Sequence, residues 1–184
     1  MNRKITYKDQ IYLAIPFIIM GLLYWSSTMS YETQSLTSPL ERFLANKPLE
    51  QFLSQFEFTY GGSIVSIAQS GYFSFVEFFI RKAAHFFSFF LIGFFWVLGL
   101  RKRVKEFWLV IVLSILLSIG YASFDEFRQV FHPGRSGMMA DVILDSAGAI
   151  VGVSLAWLFD YKKWVKWYYF QSYIDIIVIH EEIN

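Results

Sequence analysis

The chain has 184 residues, of which 55% are hydrophobic, 21% aromatic and only 17% charged, a balance that excludes an ordinary soluble domain and points to a bilayer. Sixteen basic against fifteen acidic residues leave a net charge of +1, which excludes the basic field that would draw the chain onto a nucleic acid. There is no cysteine, so disulfides, thiol catalysis and thiolate metal sites are excluded, and a metal would have to be held by His, Asp or Glu.

A helix needs about 20 apolar residues to cross a bilayer core, so this length holds roughly four crossings and their loops. The first is predicted at residues 11–29, inside the uncharged run 10–31, with Pro16 tolerated early in it. Arg3, Lys4 and Lys8 ahead of this run also suit a secretory signal. The run is long for one and no Ala-x-Ala-like site follows, so it is read as a retained span. A long loop then occupies residues 32–82. Its stretch 49–58 has helical apolar spacing, and 58–76 is uncharged but broken by Gly61, Gly62 and Gly71. A full crossing there would invert every later span and put Arg101, Lys102, Arg103 and Lys105 outside, against the retention of basic residues in the cytoplasm. A re-entrant or interfacial segment is expected instead.

Three further spans are predicted at 83–100, 107–124 and 142–159, the last with Asp145 inside it. The tail 164–184 is aromatic and partly amphipathic, and is expected to lie at the cytoplasmic interface. Ten of the sixteen basic residues fall before span one, between spans two and three, and after span four. The other six are Arg42, Lys47, Arg81, Lys82, Arg128 and Arg135, so both termini are expected in the cytoplasm. Trp25, Trp96, Trp108 and Trp157 fall near predicted boundaries and read as interfacial anchors. The expected fold is all-α. It is a polytopic membrane bundle of about four transmembrane helices, a single domain over 1–184, with a long extracytoplasmic loop.

In this topology the ionisable residues converge on the outer side. Arg81, Lys82 and His85 open span two, Asp125, Glu126, Arg128 and Gln129 close span three, and Asp141 and Asp145 open span four. Residues three or four apart share a helix face. Ser114, Ser118, Tyr121, Asp125 and Gln129 therefore form one stripe, Asp141, Asp145, Gly148 and Gly152 a second, and Lys82, His85, Phe89 and Gly93 a third. Small residues let transmembrane helices approach closely, which marks the charged faces as inward. Charge inside a membrane is costly and marks a site or an ion pair, and the expected partner for Asp141 or Asp145 is Lys82 or Arg135.

The elements Arg81-Lys82-Ala83-Ala84-His85, Asp125-Glu126-Phe127-Arg128-Gln129 and Pro133-Gly134-Arg135, with Asp141, Asp145, Gly148 and Gly152, resemble the VanZ-like family of bacterial membrane proteins. That family is named for an accessory protein associated with resistance to the glycopeptide teicoplanin. The resemblance spans most of the chain, and the family tends to have Asn where Asp145 stands. It implies a multi-pass protein of the bacterial cell membrane with a part in glycopeptide resistance, and assigns no catalytic residue.

From the residues themselves, the first expectation is that the outward polar pocket binds or modifies an anionic lipid or a lipid-linked cell-wall precursor. His85, Asp125 and Glu126 are the candidate catalytic groups for proton transfer. Arg81, Lys82, Arg128, Gln129, Arg135, Asp141 and Asp145 are the candidate substrate-binding groups, arginine being suited to bidentate phosphate contact. No metal or cofactor is called for, and membrane lipids, a precursor or a glycopeptide are the expected partners. Two alternatives stay open. One is a metal-dependent hydrolase of a phosphate-containing lipid, built on His85, Asp125, Glu126 and Asp141. The other is a non-enzymatic binding or structural protein that works through loop aromatics such as Phe56, Phe58, Tyr60, Tyr72 and Phe73, or in which the charges merely latch the helices together.

Overall fold

A computed structural model describes residues 5–29, 35–131 and 137–159. Arg135 and the tail 164–184 lie outside the described residues. Four helices are long and apolar enough to cross a membrane: α1 (Tyr7–Ser27), α5 (Tyr72–Leu100), α6 (Phe107–Gln129) and α7 (Met139–Phe159). Between the first two lie α2 (Thr37–Phe43), α3 (Glu50–Leu53), an antiparallel pair β1 (Glu57–Tyr60) and β2 (Ser63–Ser66), and α4 (Ile67–Ser70). The architecture is an all-α polytopic bundle carrying one small hairpin.

An apolar belt of side chains faces outward from all four long helices, among them Phe17, Ile18 and Leu22 on α1, Phe87 on α5, Leu116 on α6, and Ile143 and Leu158 on α7. Water would not tolerate so large a contiguous apolar surface on a monomer, whereas lipid tails accept it. Inside, Phe89, Ile92 and Trp96 of α5 pack with Ala122 and Ala149, and Val97 packs with Phe107, Val110, Val153 and Ala156. Trp96 is therefore not an interfacial anchor. It is 5% exposed, and Phe17 meets its ring edge-on at 5.1 Å. Trp25, Trp108 and Trp157 remain at the surface.

The helices run longer than the predicted spans. At 1.5 Å per residue the 29 residues of α5 cover about 43 Å, more than the roughly 30 Å hydrocarbon core. The helix starts at Tyr72, ahead of the expected residue 83, because Gly71 at φ +81° turns the chain into it. Glu77 and Arg81 sit four residues apart at 3.7 Å, so the charges between 72 and 82 are accommodated within helix. The apolar spacing at 49–58 yields only the single turn α3, and the next residues pair as strands. Gly61 and Gly62, at φ +57° and +84°, occupy the two central positions of the hairpin turn, which requires positive φ at both. A Cβ on Gly61 would strike Met138, so the hairpin rests on the start of α7.

Glycines set the α5–α7 contact. A Cβ on Gly148 would meet the carbonyl of Phe86, one on Gly152 that of Phe90, and one on Gly93 that of Ala149. At the opposite end, Asp9 in the first turn of α1 accepts from the Thr6 amide at 2.8 Å and the Thr6 hydroxyl at 2.5 Å. Lys102 reaches the same carboxylate at 2.8 Å, and Arg103 donates to the Asp9 carbonyl at 3.1 Å and the Gly99 carbonyl at 2.5 Å. The start of α1 and the loop after α5 are thus pinned together at one end. Asp9→Ala removes the cap and leaves Lys102 unpaired, and should lower stability by about 1–3 kcal/mol. The check is thermal unfolding in detergent beside the exposed variant Lys105→Ala, which should behave as wild type.

Candidate functional site

The end of the bundle opposite Asp9 gathers polar side chains from α1, α5, α6, α7 and the hairpin. On α6 the buried stripe is Ser114, Ser118, Ala122, Asp125, Glu126 and Gln129. Ser114 and Ser118 return their hydroxyls to the carbonyls four residues earlier, at 2.7 Å each, so both are satisfied without a partner helix. Asp125 accepts from the Ser27 hydroxyl at 2.9 Å and from the Gln129 amide at 3.2 Å, with Arg128 Nη2 at 3.6 Å. Arg128 itself donates to the Tyr24 carbonyl at 2.9 Å and covers the Tyr24 ring at 4.0 Å. Glu126 accepts from the Met138 backbone at 3.0 Å and from Gln129 at 3.3 Å.

The α5 and α7 stripes meet rung by rung. Lys82 bonds Asp141, and His85 Nδ1 lies 3.5 Å from Asp145 Oδ2. One turn further in, the glycine contacts take over the same interface. Of the two partners expected for the span-four acids, Lys82 takes Asp141. Asp145 faces His85 instead, because His85 is one helical turn below Lys82 as Asp145 is below Asp141. Tyr60 of β1 also donates to Asp141, at 2.5 Å, and its ring lies 4.8 Å from Lys82 Nζ. Burial and the Asp141 carboxylate push the Tyr60 hydroxyl well above the usual phenol range, so it stays a donor at every physiological pH.

Asp145 is 1% exposed, and neither of its oxygens accepts a hydrogen bond. Glu126 is within Coulombic reach of Asp141, Asp125 and Asp145, so the four acids form one electrostatic group. Arg81 stands one turn further out on α5, beside buried Glu77, which also accepts from Ser35 at 3.3 Å. Lys82, His85 and Asp141 are partly exposed and form the rim, while Asp125, Glu126 and Asp145 are the buried floor.

His85, Asp125, Glu126, Arg81, Lys82, Arg128, Gln129, Asp141 and Asp145 thus lie at one end of the bundle, but they are not equivalent. His85 touches Asp145, whereas Asp125 and Glu126 are held by Ser27, Gln129 and Met138. Among the described residues no three His, Asp or Glu side chains come close enough to hold a metal ion. Ser27 and Glu77 are not among the residues the sequence points to, and Tyr60 is there only as a loop aromatic, not as a partner of Asp141. Glu77 lies four residues before Arg81, a helical ion-pair spacing that the sequence displays, and the Gly61-Gly62 turn between Phe58 and Val65 is a hairpin signal. No local signal marks Ser27.

A family model described as VanZ/LLP1 matches residues 12–160. No curated protein and no solved structure gives a match.

Proposed function

The chain belongs to the VanZ/LLP1 family, and on that premise we propose that it is a protein of the bacterial cell membrane whose polar end faces outward, binding the headgroup of an envelope lipid or lipid-linked precursor. Through that binding it contributes to glycopeptide resistance. The observation that carries this reading is Asp145, a buried carboxylate with no hydrogen bond, at the floor of a cluster whose rim is partly open. A membrane protein keeps such a group only where it has work to do, since its burial opposes folding.

Orientation follows from the basic residues. Lys102 and Arg103 seat on the start of α1 at the end opposite the cluster, and the retention of basic ends in the cytoplasm supports a reading with both termini there. In the cluster, Arg81, Lys82, Arg128, Gln129, Asp141 and Asp145 bind the headgroup, and Arg135, outside the described residues, is assigned to the same role from the sequence. His85, Asp125 and Glu126 supply proton transfer if the bound group is also modified. One observation favours a second, purely structural reading. Arg81, Lys82 and Arg128 each sit on an acid, as a latch between helices requires.

Teicoplanin and vancomycin susceptibility separates the two. In a Gram-positive host expressing the protein, wild type should protect, and Asp125→Asn, Glu126→Gln, His85→Ala and Arg135→Lys should each lose most of that protection at matched membrane levels. Variants that protect as well as wild type would establish the latch and remove the binding role.

A further inference from the structure

We infer that the floor of the cluster receives a primary ammonium group, carried by a lipid headgroup or by the peptide of a lipid-linked precursor. This rests on the binding role proposed above and names the chemistry of its ligand.

The charge count points the same way as the hydrogen bonds. The described residues of the cluster include five carboxylates, Glu77, Asp125, Glu126, Asp141 and Asp145, against three permanent cations, Arg81, Lys82 and Arg128. Each cation already sits on an acid: Arg81 on Glu77, Lys82 on Asp141, Arg128 on Asp125. Of the two remaining acids, Glu126 has its oxygens engaged by the Met138 amide and the Gln129 side chain. Asp145 has neither oxygen in a hydrogen bond of ordinary geometry, and its one ion-pair contact among the described residues is His85 Nδ1, 3.5 Å from Oδ2.

A buried carboxylate needs both donors and compensating charge. A phosphate would bring negative charge against the buried Asp145 carboxylate. A hydroxyl would donate but bring no charge beyond what His85 supplies. A primary ammonium brings three donors, no acceptor and one positive charge, and so satisfies both Asp145 oxygens at once. Its approach is from the partly exposed side, where Lys82 and Asp141 occupy the same two helices one turn further out. A phosphate attached to the amine would then remain at the level of Lys82.

The full-length protein is placed in phosphatidylcholine nanodiscs for the test. Binding is measured for two probe pairs: dioleoylphosphatidylethanolamine and its N-acetylated form, and a soluble lysine-containing tripeptide and its Nε-acetylated form. At least one free amine should bind tenfold or more tightly than its acetylated counterpart. Preference for the lipid alone assigns the headgroup as the source, and preference for the tripeptide alone assigns the peptide. Asp145→Asn, nearly isosteric, should bring the ratio to within twofold while its unfolding temperature shows that it remains folded. Asp145→Glu should keep a preference. Equal binding of free and acetylated amines by wild type, or a preference that survives Asp145→Asn, overturns the inference. Loss of protection in the resistance assay without any amine preference would leave the binding role standing and remove only the ammonium. An amine preference with undiminished protection in those variants would leave the ammonium site standing and remove its part in glycopeptide resistance.

Discussion

Gly152→Leu should prevent the bundle from assembling. The Cβ of any larger residue here meets the Phe90 carbonyl, and a backbone atom of a helix with its own hydrogen bonds cannot swing aside as a flexible side chain can. Inserting bulk into a well-packed interior costs about 1–3 kcal/mol when side chains can yield. Leucine against a carbonyl leaves only separation of α5 from α7, which would also pull Asp141 from Lys82 and Asp145 from His85. The expected loss is therefore at least about 3 kcal/mol, seen as failure to accumulate in the membrane or as a broad, early unfolding transition in detergent. Gly120→Leu is the matching control. No neighbouring atom lies within 4 Å of a Cβ at Gly120, which is exposed on α6, so this variant should accumulate as wild type does. If both variants behave alike, the close α5–α7 approach is not what holds the bundle.

The same interface shows what the sequence makes legible. Lys82 and His85 on one helix, and Asp141, Asp145, Gly148 and Gly152 on the other, recur at three- and four-residue steps, and this alone indicates that charge and small residues share a face. The pairing of rungs is not legible, because it depends on the axial offset between two helices, and that offset is set by where Gly93, Gly148 and Gly152 let the backbones meet. Hence Lys82 could be matched in advance to one or other of Asp141 and Asp145 but not to Asp141 in particular, and His85 could not be assigned to Asp145. Ser27 is a longer-range case. It sits at the end of an otherwise apolar helix and acquires significance only through Asp125, 98 residues away. Trp96 misleads for the opposite reason. Its distance along α5 from Arg101 suits a membrane boundary, but its face of the helix is the one that α1 covers. Hydropathy places helix ends poorly where an ion pair such as Glu77–Arg81 lets a helix continue past the apolar core.

Lys82→Met should destabilise the protein by about 3 kcal/mol, since removing one partner of a buried pair leaves the other charge uncompensated. The Lys82 and Asp141 side chains are 22% and 13% exposed, buried enough for this cost to apply. Tyr60 still donates to Asp141, which keeps the loss below that of a fully orphaned carboxylate. Replacing both partners removes the uncompensated charge, so Lys82→Met with Asp141→Leu should recover to within about 1 kcal/mol of wild type. The unfolding temperatures of the two single variants and the double variant check this, with strong positive coupling expected. The double variant also separates the two readings of the cluster. A latch needs only that α5 and α7 stay joined, so restored stability would restore protection against glycopeptides. A headgroup site needs Lys82 and Asp141 themselves at the rim, so the double variant should be stable and yet fail to protect. Stability recovered together with protection would leave the charges of the outer rung with no part in binding.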